Sequence, residues 1–249
     1  GYNLTQLMIG SEGTLGIITE ATLKLLPLPK QNLLMLAPFE KASDACAAVA
    51  QIFQSGVIPS ALEFMEKDAL KLSQSFTGDY SLEIHDKVEA HLLIEVDGTD
   101  SEYLMNQCQQ VLTVLESFGC IEVKFADDNA QKEALWFLRR RVGEAVKAHS
   151  IYKEEDTVVP RFELPRLLKG VKEIGEKFGF QTVCYGHAGD GNLHVNILKG
   201  DLSDEAWNVD LKKAIEAIFE LCISLGGTLS GEHGIGYVQK EYMHLAFNE

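Results

Sequence analysis

The order of elements legible in this 249-residue chain predicts an α+β fold, a duplicated ferredoxin-like (βαββαβ) domain with an antiparallel sheet. Three observations carry that expectation. Short apolar runs alternate with longer segments of helical period. The helical segments stop at glycines, at Gly56, Gly119, Gly179 and Gly226-Gly227. The order strand, helix, strand, strand, helix occurs twice.

Taken in order, residues 22–28 read as a strand closing at Pro27 and Pro29. Residues 33–39 form an apolar strand, 42–54 an alanine-rich helix and 60–65 a second strand. A polar stretch containing Thr77-Gly78-Asp79 leads to a third strand at 91–96, a helix at 101–118 and a fourth strand at 121–125. This is a split βαβ unit with its helices on one face of the sheet. A long helix over 129–149 bridges to a second unit: a short strand at 157–159 ended by Pro160, a helix at 164–178, a strand at 181–186, a hairpin arm at 194–198 and a helix at 203–225. Thr228-Leu229-Ser230 is a candidate last strand. Residues 237–249 look helical but carry no terminating Gly, Asn or Pro, and the chain begins at a glycine, so both ends read as cuts in a longer polypeptide.

Composition narrows the function. With 22 Lys and Arg against 37 Asp and Glu, the net charge of −15 and the lack of a basic stripe argue against nucleic acid or an anionic membrane surface as partner. No run of 18 apolar residues suggests a transmembrane segment. Cys46, Cys108, Cys120, Cys184 and Cys222 are odd in number and lack C-x-x-C spacing, which favours buried thiols in a reducing cytoplasm.

The chemistry concentrates in Gly186-His187-Ala188-Gly189-Asp190-Gly191-Asn192-Leu193-His194 and, about forty residues on, Gly231-Glu232-His233-Gly234-Ile235-Gly236. If Asp190-Gly191 is the centre of a two-residue hairpin, both with φ > 0, then His187 opposes His194 and the two side chains share a face. Asn196 lies on that face too. The pair could grip one divalent ion, with Glu232 supplying a carboxylate. Two imidazoles and a carboxylate suit Zn²⁺, with Mn²⁺ or Fe²⁺ as alternatives, and leave positions open for substrate.

These two blocks, together with Ile9-Gly10-Ser11-Glu12-Gly13-Thr14-Leu15-Gly16-Ile17-Ile18-Thr19, resemble the C-terminal part of the FAD-linked oxidases and dehydrogenases acting on D-2-hydroxy acids. That family includes D-lactate dehydrogenase, the glycolate oxidase D subunit and D-2-hydroxyglutarate dehydrogenase. The resemblance implies that residues 1–30 end a FAD-binding domain and that 31–236 form the substrate, or cap, domain, with halves at about 31–127 and 150–231. Residues 237–249 would begin a truncated helical segment. It implies that Glu12, Gly13, Gly16 and Ile18 pass close to FAD, although the first block read alone is a glycine-rich turn joining strands. It implies that His187, His194 and Glu232 are metal ligands, that His233 is the base, and that Asn196 contacts substrate. Arg139 fits the family's Trp-x-x-Arg pattern as Trp136-Phe137-Leu138-Arg139. A fork-shaped guanidinium there would take the substrate carboxylate, with Arg140 and Arg141 as competing positions.

The implied activity is oxidation of a D-2-hydroxy acid to the 2-oxo acid, with hydride passing to FAD and on to an unidentified electron acceptor. The family's pyrophosphate-binding loop is not in these residues, so FAD retention and activity are not expected of this stretch alone. Where the 2-hydroxyglutarate branch has a Lys for the second carboxylate, this chain has Glu154, with Lys153 one place off. That favours a monocarboxylate such as D-lactate or glycolate. A cytoplasmic location follows, with a homodimer and a peripheral membrane contact through the acceptor both allowed. A non-haem metal oxygenase, or a non-catalytic domain binding metal or hydroxy acid, also fits two histidines and a carboxylate, but neither accounts for the first glycine-rich block.

Overall fold

Alternation along the strands sorts the apolar side chains into two clusters on opposite faces of one seven-stranded antiparallel sheet. The computed structural model describes residues 1–126 and 128–247. After a short N-terminal helix α1 (Leu4–Met8), the chain forms β1 (Gln31–Phe39), α2 (Ala42–Gln54), β2 (Ala61–Glu66), α3 (Lys67–Thr77), β3 (Ala90–Gly98), α4 (Ser101–Ser117) and β4 (Lys124–Phe125). It continues with α5 (Asn129–His149), β5 (Tyr152–Val158), α6 (Leu164–Phe178), β6 (Gln181–Gly186), β7 (Asn192–Leu198), α7 (Asp204–Ser224) and α8 (Met243–Ala246). The strand order is β4-β1-β3-β2-β6-β7-β5. The two halves of the sheet meet through a short pairing of β2 with β6, Phe64 opposite Gly186 and Met65 opposite Tyr185.

Met35, Ala37 and Phe39 of β1, Leu62 and Phe64 of β2, Leu92 and Ile94 of β3, and Leu193, Val195 and Ile197 of β7 point to the larger cluster, where α2, α4, α6 and α7 supply the opposing side chains. Each fully buried Leu, Ile or Phe contributes about 1.5–3 kcal/mol of transfer free energy. Helix ends follow local chemistry. Asp100, Asp128 and Ser203 accept from the N–H groups of Tyr103, Gln131 and Ala206 to cap α4, α5 and α7. Gly78 and Gly179 close α3 and α6 in the left-handed region.

The expectation of helices on one face only is corrected. The second face, built on Leu34, Leu36, Met65, Leu93, Val183 and Tyr185, is covered by α3 and α5 through Ala69, Leu70, Leu138, Val142 and Val146. Helix α3 was not legible because its buried face is half polar: Ser73 and Gln74 are enclosed, with Ser73 Oγ donating to Leu138 O and Gln74 Nε2 to Leu82 O.

Other boundaries shift as well. Residues 22–28 form no strand, and Leu23, Leu25, Leu26 and Leu28 are exposed. The strand expected at 121–125 is reduced to Lys124–Phe125, with an isolated bridge from Phe39 to Cys120. The strand expected at 157–159 starts five residues earlier, at Tyr152. Thr228 makes only an isolated bridge to Val158. The C-terminal helix is broken into a 3-10 turn at Lys240–Tyr242 and the single turn α8, while Asn248 and Glu249, like the expected half-boundary at Asp127, lie outside the described residues. Four of the cysteines are buried, Cys120 is partly so, and all five are free thiols. Among the described residues no helix is long and apolar enough to cross a membrane.

Candidate metal centre

The side chains singled out from the sequence converge on the face that carries α5, at the end of the sheet where β5, β6, β7 and β2 run together. The expected hairpin register is corrected. His194 lies opposite Tyr185 on β6 and opposite Asp156 on β5, not opposite His187. Residues Ala188–Asp190 form a 3-10 turn, and Gly191 alone of the Asp190-Gly191 pair takes positive φ (+77°). A Cβ at Gly191 would lie 2.0 Å from Val159 O, so close approach of backbone, as much as turn geometry, demands glycine there. The longer connection places His187 just beyond β6, yet its ring still comes to 5.8 Å from that of His194.

Glu232 Oε1 stands 3.6 Å from His187 Nε2 and 3.6 Å from His194 Nε2. One ligand atom from each of the three residues lies within 4.8 Å of the others. Ligands about 2.0–2.1 Å from a tetrahedral zinc would be about 3.4 Å apart, so this trio needs little adjustment to enclose an ion. The opposite ring nitrogens face carboxylates. His187 Nδ1 is 2.9 Å from Glu63 Oε1, and His194 Nδ1 is 3.1 Å from Glu154 Oε1. Outer carboxylates of this kind orient imidazoles that ligate a metal; the His187 contact has hydrogen-bond geometry, whereas His194 Nδ1 makes no hydrogen bond among the described residues. Glu154, His194 and His233 form a second possible trio.

Two of the acids were missed from sequence. Glu63 is buried in β2 between His187 and Arg139, whose Nε and Nη2 approach Glu63 Oε2 at 2.9 and 2.6 Å. Burial opposes the charged carboxylate, but the His187 hydrogen bond and the Arg139 charge outweigh it and hold Glu63 below its ordinary range. The His187 pKa is correspondingly raised by its bond to Glu63. Asp156, enclosed in β5, organises the second block. Its Oδ2 accepts the N–H groups of Glu232 and His233, each at 2.7 Å, and the Ser230 hydroxyl at 3.1 Å, while Oδ1 accepts Asn192 Nδ2 at 2.6 Å. Against the burial penalty, those donors keep Asp156 below the usual carboxylate range. A Cβ at Gly231 would lie 2.2 Å from Asn192 Nδ2, which explains a glycine before Glu232.

His233 stacks on His194 with ring centroids 5.2 Å apart, its Nδ1 4.0 Å from Asp156 Oδ2. Arg139 is the buried member of its arginine run and stacks over Tyr185, whereas Arg140 and Arg141 pair with Glu133 and Glu144 towards solvent. Asn196 is fully buried beneath the site, with Nδ2 donating to Val183 O and Oδ1 without a partner among the described residues. Lys153 does not reach into the site. It lies on the opposite face of β5, with Nζ 3.2 Å from Glu155 Oε1. Glu12, Gly13, Gly16 and Ile18 line a shallow cavity in the N-terminal segment. The Glu12 carboxylate is bound to the N–H groups of Ile235 and Gly236 at 2.6 and 2.7 Å, so all three glycine-rich blocks meet.

Residues 28–249 match the model of the FAD linked oxidases, C-terminal domain. The chain belongs to that family. As a FAD-linked oxidase C-terminal domain it is 37% identical over 247 residues to a D-lactate dehydrogenase of Anaerostipes hadrus, covering 98% of this chain and 52% of the relative. It is 34% identical over 250 residues to the glycolate oxidase subunit GlcD of Escherichia coli strain K12, covering 100% and 49%. The chain thus spans about half the length of the curated relatives it matches. The fold is shared with a solved alkyldihydroxyacetonephosphate synthase at a TM-score of 0.63 and 20% identity, over 99% of this chain and 48% of that one.

Proposed function

We propose that this FAD-linked oxidase domain oxidises a D-2-hydroxy acid to the 2-oxo acid, with His187, His194 and Glu232 holding a divalent cation and His233 acting as base. The observation that carries the reading is the pair of histidines whose Nε2 atoms face one carboxylate oxygen while their Nδ1 atoms face Glu63 and Glu154. A divalent ion there would polarise the substrate hydroxyl, and FAD held by the rest of the protein would accept hydride. Zinc suits the donor set, with manganese or iron as alternatives. His233, stacked on His194 and held at its backbone N–H by Asp156, is the imidazole placed to take the hydroxyl proton. Arg139 contributes positive charge towards the substrate carboxylate from below, while its fork is held by Glu63. Asn196 underlies the same face as His194.

On this reading residues 1–30 are the end of a FAD-binding domain, with Glu12, Gly13, Gly16 and Ile18 on the flavin side, and 31–236 are the cap. The strand orders β4-β1-β3-β2 and β6-β7-β5 support its derivation from two ferredoxin-like halves. The partners are a small hydroxy acid and an electron acceptor in the cytoplasm. The substrate is a monocarboxylate, D-lactate or glycolate. Glu154 stays charged beside His194, and Lys153 points away, so a second carboxylate would meet repulsion.

The test is metal analysis, flavin absorbance and turnover of the intact protein on D-lactate, glycolate and D-2-hydroxyglutarate, with His194→Ala as control. One equivalent each of metal and flavin, metal lost in the variant, and preference for a monocarboxylate are expected. Full turnover without metal overturns the role of the ion, and preference for D-2-hydroxyglutarate overturns the substrate assignment.

A further inference from the structure

Glu12 is unusual in both backbone and side chain. Among the described residues it is the one non-glycine with positive φ (+50°), a conformation that costs an L-residue energy and persists where surrounding contacts compensate. Its side chain leaves its own segment and crosses to the far end of the chain, where Oε1 accepts Ile235 N–H at 2.6 Å and Oε2 accepts Gly236 N–H at 2.7 Å. Those amides belong to the turn that directly follows Glu232 and His233. Gly234 (φ +83°) and Gly236 (φ +53°) shape that turn so that two successive N–H groups present themselves to one carboxylate. A Cβ at Gly234 would lie 2.6 Å from Glu12 Oε1, so the glycine leaves room for this contact. From the other side, Asp156 holds the N–H groups of Glu232 and His233. The loop is therefore clamped between two carboxylates, one before it and one after.

We infer that Glu12 is a positioning residue for the loop that carries Glu232, holding residues 234–236 so that Glu232 Oε1 faces His187 and His194. The inference rests on the reading of those three residues as ligands of a divalent cation. It gives Glu12 a task distinct from touching flavin, and it makes the N-terminal glycine-rich segment and the metal loop one mechanical unit. Charge-assisted hydrogen bonds of this length are of the stronger kind, and removal of outer partners that orient ligands weakens metal binding by about 10- to 100-fold.

Zinc affinity of the intact, metal-stripped protein, measured by competition with a chromophoric chelator, tests this in wild type, Glu12→Ala, Glu12→Gln and, as control, the exposed Glu20→Gln on the same segment. Glu12→Ala is expected to weaken zinc about tenfold. Glu12→Gln, which keeps one acceptor oxygen, should weaken it less, and Glu20→Gln should leave it unchanged. The metal-free melting temperatures should agree across the set. Where Glu12→Ala lowers the metal-free midpoint, the isosteric Glu12→Gln decides. Zinc affinity equal to wild type in the Glu12 variants overturns the role of Glu12. A wild-type protein that binds no zinc or manganese overturns the metal reading itself, and this inference with it.

Discussion

Replacing Asp156 should damage the site through its backbone rather than through lost ligands. The Asp156 carboxylate satisfies four donors, the N–H groups of Glu232 and His233, the Ser230 hydroxyl and the Asn192 amide. Hydrogen bonds to a charged acceptor contribute about 1.5–3 kcal/mol each, so four of them sum to about 6–12 kcal/mol as an upper bound for Asp156→Ala. Two considerations reduce it. Asn192 Nδ2 keeps a second acceptor in Thr157 O at 3.0 Å, and the Glu232 and His233 side chains are about half exposed, so water can reach their loop. The expected loss is about 3–4 kcal/mol of unfolding free energy in urea. Asp156→Asn should cost about 2 kcal/mol, because its NH₂ must face a donor whichever way the amide is turned. Both variants should also loosen a bound divalent ion by at least tenfold, since Glu232 loses its anchor. An Asp156→Asn protein that unfolds within 0.5 kcal/mol of wild type, at about the error of such comparisons, and that binds zinc equally well would refute the clamp.

Two further outcomes follow from buried charge. Glu63→Gln keeps volume but leaves Arg139, only 8% exposed, facing a neutral amide; a loss of about 3–5 kcal/mol in urea is expected from an unpaired buried cation, and a change below 1 kcal/mol would show that the pair is not interior in solution. His91, buried on β3 with Nδ1 unpartnered among the described residues, has its pKa lowered to about 4 by burial and by the Lys124 charge. The unfolded chain therefore binds a proton first, so stability is full above about pH 6.5 and falls by about 3 kcal/mol as pH drops to about 4. Comparing the pH dependence of unfolding free energy in wild type and His91→Leu isolates that contribution, and superimposable slopes would contradict it.

Much of the scaffold is legible in the sequence because its signals are local. The helix over 42–54, with its alanines and Gly56, and the long helix over 129–149 have the expected bounds in the structure. So does the strand over 181–186. The triad His187, His194 and Glu232 is legible too, although through a hairpin of the wrong register. Residues 187–191 make a five-residue connection, and His187 comes within reach of His194 and Glu232 from outside the ladder. What is not legible is what depends on distant partners. Helix α3 hides behind the polar Ser73 and Gln74, whose acceptors lie elsewhere in the chain. Strand β5 hides because Lys153-Glu154-Glu155-Asp156 has the composition of a loop.

That strand is also where the chemistry is organised, and the two facts have one cause. Acids in a sheet pay a desolvation penalty unless each finds a partner. Here Glu154 faces His194, Glu155 is met by Lys153 and Gln239, and Asp156 takes the amides of Glu232 and His233. A sequence that contradicts its local structure marks a place where something other than stability has been favoured. Glu63, Glu154, Asp156 and Glu232 gather around two imidazoles, and Arg139 neutralises one of the four. Such an excess of negative charge is costly in an empty protein and favourable around a divalent cation. The burial of Glu63 and Asp156 deepens the contrast, because a low-dielectric surrounding strengthens both the repulsion and its relief. The electrostatics and the geometry thus point the same way as the proposed function: carboxylates from two strands, β2 and β5, and from one loop gather where a divalent cation would relieve their repulsion.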